Sequence, residues 1–149
     1  MQTTVTSGRS DAAYVAEVRR LHEVIAGWTT GALPNSDELF GAFSSALGPG
    51  FMIINPEGAA EDREAVVSRF RGLYGTRAAR DFRIEIHEPA VRLETADLTL
   101  VTYHEHWFEG AEERSVILAT ALFQPELEAP GGLAWRHLHE TWLRPPVAP

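Results

Sequence analysis

Apolar positions recur in two different periods along this chain, and the change between them falls near residue 80. Before it they step by three and four. Tyr14, Val18, Leu21, Ile25 and Trp28 form one stripe, which predicts an amphipathic helix over 11–30 with Ser10 at its N-cap and Gly31 ending it. "PNSDELFGAFSSAL" predicts a second, shorter helix. Leu39, Phe43 and Leu47 form its stripe, Asn35 and Glu38 are spaced as in a capping box, and "GPG" stops it. "FMIIN" is a short apolar run between turn residues, hence a strand. "EDREAVVSRFRGLYG" predicts a third helix with Val66, Phe70 and Leu73 on one side.

After residue 80 the period is two. "DFRIEIHEPAVRLE", "LTLVTYHEHWF", "SVILATALF" and "LAWRHLHETWL" read as four strands, with Pro89 marking a bulge or an edge position. Their short connections imply antiparallel neighbours. Three helices followed by a run of strands predict an α+β layout, the helices packed on one face of a strongly curved antiparallel sheet. One domain over 10–143 is expected, with a loose arm at 1–9 and a loose tail at 144–149.

Composition narrows the function classes. At 149 residues, 44% apolar and 23% charged, the chain reads as a soluble globular domain. Its net charge is −8, and all 13 cations are arginine. An acidic surface argues against nucleic acid and against an anionic membrane. There is no cysteine, which removes disulfides, thiolate nucleophiles and Cys-based zinc sites. "MQTTVTSGRS" lacks the apolar core of a signal peptide, and no apolar run has a membrane-spanning length. A cytoplasmic location is expected.

The order of elements and three local signatures resemble the NTF2-like superfamily with its cystatin-like cone, within it the SnoaL-like or DUF4440 group. The signatures are the strand–turn–helix "FMIINPEGAAEDREAVVSRF", the turn and long strand "ETADLTLVTYHEHW", and the ending "LAWRHLHETWL", whose Trp135 and His139 fit a W-x-x-x-H pattern. Pro56 and Gly58 keep the family's turn; Asp62 stands where many relatives have glycine. The resemblance implies a sheet wrapped against the first helix around a conical apolar pocket, and homodimers built through the outer sheet face. It covers isomerases, small-substrate cyclases and dehydratases, and non-catalytic binding or assembly domains. Against the ketosteroid isomerase pattern the chain departs where it matters: the general-base position falls on Asn55, the oxyanion-side acid on Ala119, and the helix-1 tyrosine near His22.

Candidate polar contacts for a guest molecule are His22, Asn55, Tyr103 and His139, with Phe51, Ile53, Ile25 and Phe70 as apolar walls. His104 and His106 share a parity, as do His137 and His139, so each pair can present two imidazoles about 7 Å apart. In a simple meander another strand lies between the two pairs, roughly 9.6 Å of separation. Glu105 and Glu140 have the opposite parity to the histidines. A bound metal is therefore not expected, and no cofactor is, since P-loop, G-x-G-x-x-G, G-x-S-x-G and helical H-E-x-x-H motifs are all absent. Which parity faces inward stays open, because both parities of the "HEHW" strand are mixed. The expected function is binding of a small, largely apolar molecule in the cone, with proton-transfer chemistry of isomerase or lyase type as its extension. The alternative is a non-enzymatic homodimerisation or accessory interaction domain.

Overall fold

A computed structural model of the chain describes residues 10–147. The arm expected at 1–9 and the last two residues of the expected tail lie outside them. Helix α1 spans Asp11–Thr30, α2 Asp37–Ser44 and α3 Arg63–Arg71; the strands are β1 Leu47–Ile54, β2 Ala60–Asp62, β3 Phe82–Glu94, β4 Thr99–Glu109, β5 Glu112–Pro125 and β6 Leu133–Arg144. They form one six-stranded sheet in the order β2-β1-β6-β5-β4-β3. The expected α+β cone is the observed fold. No helix among the described residues is long and apolar enough to cross a membrane.

Helix α1 buries the stripe its spacing dictates: Tyr14, Val18, Leu21 and Trp28 are almost fully buried. Gly31 closes it in the left-handed conformation, its N–H on the Trp28 carbonyl. Helix α2 starts one residue later than the capping-box spacing suggests. Ser36 is the N-cap and accepts from the Leu39 N–H. Helix α3 is shorter than expected because Glu61 and Asp62 pair with β1 first; Asp62 then caps α3 by accepting from the Ala65 N–H. Trp28 joins the three helices. Its ring packs against Phe40, Phe70 and Tyr74, and its indole N–H donates to the Phe70 carbonyl at 2.9 Å.

Two departures from a plain antiparallel meander shape the interior. First, β1 runs parallel to β6, with Ile53 opposite Leu138. Short turns fix direction only between strands consecutive in the chain, and these two are far apart in it. Second, the strands carry bulges, which bend a sheet. In β3 the register shifts between His87 and Ala90, where Glu88 has φ 51 and Pro89 follows on an edge strand. In β6, Trp135 faces Phe123 while His137 faces Leu122, so Arg136 is an extra residue. The "GPG" expected to end α2 lies inside β1 opposite this bulge. The irregular stretch of β1 runs from Leu47 to Met52, and a Cβ on Gly48 would stand 2.9 Å from Arg136 Cδ.

A buried carboxylate ties β6 and its preceding turn to α1. Glu17 accepts from Trp135 Nε1 at 2.8 Å and from Arg20 at 2.7 and 2.9 Å. Gly131 packs so close that a Cβ there would fall 1.9 Å from Glu17 Oε1. Any side chain there would push the Glu17 carboxylate off its bonds to Trp135 and Arg20.

Candidate functional site

Between the helices and the concave sheet face lies a cavity of about 650 Å³. That is within the range of about 300–1,000 Å³ usual for small-molecule sites. Its walls are mainly apolar: Leu21 and Ile25 from α1, Phe51 and Ile53 from β1, Phe70 from α3, and Trp107, Ile117 and Leu138 from the long strands.

Strand parity decides what else reaches it. On β4 the inward residues are Thr99, Val101, Tyr103, Glu105 and Trp107; the first four are almost fully buried. On β6 the Arg136 bulge reverses the parity. Trp135 faces inward, and beyond the bulge Leu138, Glu140 and Trp142 line the cavity instead of His137 and His139. Glu105 and Glu140 thus meet across β5. Their strands are two spacings apart, roughly 9.6 Å. Ala119, paired with both Tyr103 and Glu140, leaves the space between them open.

The result is a buried acid–base cluster. His22 Nδ1 lies 2.7 Å from the Val18 carbonyl, to which it donates, leaving Nε2 at 3.2 Å from Glu105 Oε2. Trp107 Nε1 donates to Glu105 Oε1 at 3.0 Å. Glu140 stands close enough to Glu105 for the two carboxyls to interact. Burial pulls the His22 imidazole down, but the Glu105 carboxylate and the Val18 carbonyl outweigh it and hold His22 above its ordinary value. Burial likewise pushes Glu105 up, and His22, Glu140 and Trp107 outweigh it, leaving Glu105 low. Nothing comparable helps Glu140. Burial and the Glu105 charge together push it up to about 10. At neutral pH the two carboxyls divide into a carboxylate, Glu105, and a carboxylic acid, Glu140, an arrangement in which two interacting carboxyls share one proton. The Tyr103 hydroxyl, fully buried with its ring 5.5 Å from that of His22, has no hydrogen-bond partner among the described residues.

The outer part of the lining is more exposed. Asn55 Oδ1 accepts from the Glu57 and Ala59 N–H groups at 3.0 Å each, which shapes the Pro56–Gly58 turn. Arg69 pairs with Glu61 at 2.9 Å. Trp142 Nε1 donates to Glu57 at 2.8 Å.

Of the residues singled out from the sequence, His22, Ile25, Phe51, Ile53, Asn55 and Phe70 line this one cavity. Tyr103 faces inward but is sealed behind the wall. The expectation for His139 is corrected: it is exposed on the outer face, because the Arg136 bulge shifts the alternation. His87, His104, His106 and His137 share that outer face. There His104 lies 3.1 Å from Glu88 and His106 2.9 Å from Glu113. Among the described residues no three His, Asp or Glu side chains are placed to hold a metal ion. Sequence reasoning missed Glu105 and Glu140. The alternation of Val101, Tyr103, Glu105 and Trp107 carried a signal for the first; the bulge hid the second.

Comparisons with known proteins agree on the scaffold. Residues 16–144 match the family described as sucrose-6-phosphate phosphohydrolase C-terminal. Sucrose-phosphatase 1 and sucrose-phosphatase 2 of Nicotiana tabacum are 24% and 23% identical, over 86% and 85% of this chain. The chain spans only 30% of the length of either enzyme. An NTF2-like protein of unknown function from Pseudomonas aeruginosa is 30% identical, with a TM-score of 0.76 over 87% of this chain and 98% of that one. The CaMKII hub of S. rosetta shares the fold at 16% identity, with a TM-score of 0.65 over 88% of this chain and 95% of that one. The chain belongs to the sucrose-6-phosphate phosphohydrolase C-terminal family, built on the NTF2-like, cystatin-like cone.

Proposed function

We propose that this domain binds a small, largely apolar molecule inside the cone. The observation that carries the reading is the cavity itself: about 650 Å³, walled by apolar side chains, with the polar cluster of His22, Glu105 and Glu140 gathered at one place in it. The same cluster suits proton transfer of isomerase or lyase type. Protonated Glu140 is a donor for an oxygen on the guest, and the Glu105 carboxylate is the adjoining acceptor. From the tobacco enzymes the proposal takes the scaffold, not the phosphatase activity.

A series of neutral n-alcohols from 1-hexanol to 1-decanol tests the reading by displacement of the neutral dye Nile red. Affinity is expected to rise about fourfold per added methylene, which follows from about 0.8 kcal/mol per buried CH₂. Ile53→Trp, which fills the cavity, is expected to abolish the rise. Affinities that ignore chain length, or survive Ile53→Trp unchanged, would end the proposal.

A second reading concerns assembly and is compatible with the first. The outer face of β4 and β5 carries half-buried Leu100, Leu118 and Leu122 beside the histidine row. That supports a homodimer through this face. Sedimentation at micromolar concentration should give a dimer that Leu118→Glu dissociates; a wild-type monomer under the same conditions rules it out.

A further inference from the structure

Two arginines line the cavity, and they differ in one respect. Arg69 is neutralised by Glu61 at 2.9 Å. Arg77 makes no side-chain hydrogen bond or ion pair with any described residue. Its backbone N–H is held by the Thr29 carbonyl at 2.8 Å, and its guanidinium lies over the rings of Phe82 at 4.5 Å and Trp107 at 5.2 Å. The rings fix its position and leave its five N–H donors unspent. The groups around it do not cancel its charge. The charged groups that act on it are Arg80 and Glu109, which are paired with each other at 3.7 Å, and the pull of Glu109 is smaller than the opposing effects of burial and Arg80. Burial followed by the Arg80 charge lowers Arg77 from its ordinary value, as expected for a cation short of a counter-charge.

The lining as a whole tells the same story. Glu105 offsets His22 and Glu61 offsets Arg69. Glu140 is uncharged at neutral pH. Arg77 is left as the lining cation without an opposing carboxylate among the described residues, in a chain with net charge −8.

We propose that the molecule held in the cone is an amphipathic monoanion, an apolar body bearing one carboxylate, bound with that carboxylate on the Arg77 guanidinium and the body directed toward His22. The inference rests on the ligand-binding reading above and adds the ligand's charge and orientation. The reverse orientation gains less, because His22 is already paired with Glu105 and no unpaired cation stands at that end. A guanidinium also matches a carboxylate through two parallel N–H···O bonds. A single uncompensated cation suits a monoanion better than a doubly charged phosphate.

The test compares decanoate with 1-decanol at about pH 8, each displacing Nile red from the whole chain. Wild-type protein is expected to prefer decanoate by about tenfold or more, the usual scale of a charge-assisted hydrogen bond. Arg77→Gln, which removes the charge at nearly constant shape, should abolish the preference while 1-decanol affinity stays within about twofold. Arg77→Lys should keep part of the preference, which guards against a general loss of packing at this position. Equal wild-type affinities for the two probes overturn the inference and leave the ligand-binding reading standing. So does a preference that survives in Arg77→Gln. Failure of both probes to displace the dye overturns both.

Discussion

Replacing His22 with leucine is expected to destabilise the fold by about 3–5 kcal/mol at neutral pH, the usual cost of breaking a buried ion pair by removing one partner. His22 and Glu105 are 4% and 2% exposed, so water cannot take over when one is lost. Leucine fills much of the imidazole's volume, which makes the loss mainly electrostatic. The pH dependence separates this from a packing defect. His22 has a raised value in the folded state, so its contribution is complete below the unfolded value and is lost as pH rises through the folded one. Glu105 has a depressed value, so its contribution is present above the unfolded value and is lost as pH falls through the folded one. The pair therefore stabilises between these limits. In the variant Glu105 loses its counter-charge and has to take up a proton to stay buried, so the deficit should shrink as pH falls toward the ordinary carboxylate range. Urea unfolding at about pH 5 and about pH 8 checks this. A deficit under about 1 kcal/mol, equal at both, would mean that the pair does not carry the burial energetics assigned to it.

Glu140→Gln is expected to act in the opposite direction. Glu140 is pushed up to about 10 in the folded chain, whereas an unfolded glutamate sits near the ordinary value of 4.5. Between these values the folded state holds a proton that the unfolded state has released. Stability from this group is complete below the unfolded value and falls as pH rises toward the folded one. Glutamine keeps a donor for Glu105 and never ionises, so the pH-dependent penalty disappears. The variant should gain about 2–4 kcal/mol near pH 8, or roughly 4–10 °C in melting temperature, and almost nothing near pH 4.5. Thermal melts across this range measure it. A wild-type curve that is flat above pH 5, unchanged by glutamine, would show that Glu140 ionises normally and that the carboxyls do not share a proton. If Glu140 donates to a guest, the stabilised variant should also bind or turn over that guest less well, as expected where function is maintained against stability.

The fold was legible because it rests on periodicity. The four-and-three stripe of Tyr14, Val18, Leu21 and Trp28 leaves one solution for α1, and Pro89 marks the β3 bulge through its missing N–H. Much of the wall was legible for the same reason, since Phe51 and Ile53 in β1 and Phe70 in α3 follow from local pattern. The acid cluster was not. Alternation places a residue on a face only while the ladder is regular, and the extra residue Arg136 exchanges His139 for Glu140 in the interior. Nothing local announces that bulge, because its partner is the Gly48–Gly50 stretch of β1, distant in sequence and parallel to β6. Arg77 was hidden for a different reason. It follows α3 in a run of turns, where no period exists to read.

The central claim is that the concave side of the sheet is hollow and takes an apolar guest. Methyl-resolved NMR during a titration with 1-decanol tests it most directly, because Ile and Leu methyls mark both faces of the sheet. The expected result is saturable shifts confined to the cavity-lining methyls, Leu21, Ile25, Ile53, Ile117 and Leu138 among them, with Leu100, Leu118 and Leu122 on the outer face unmoved. Shifts confined to the outer-face leucines, or none at any concentration the alcohol reaches, would contradict it.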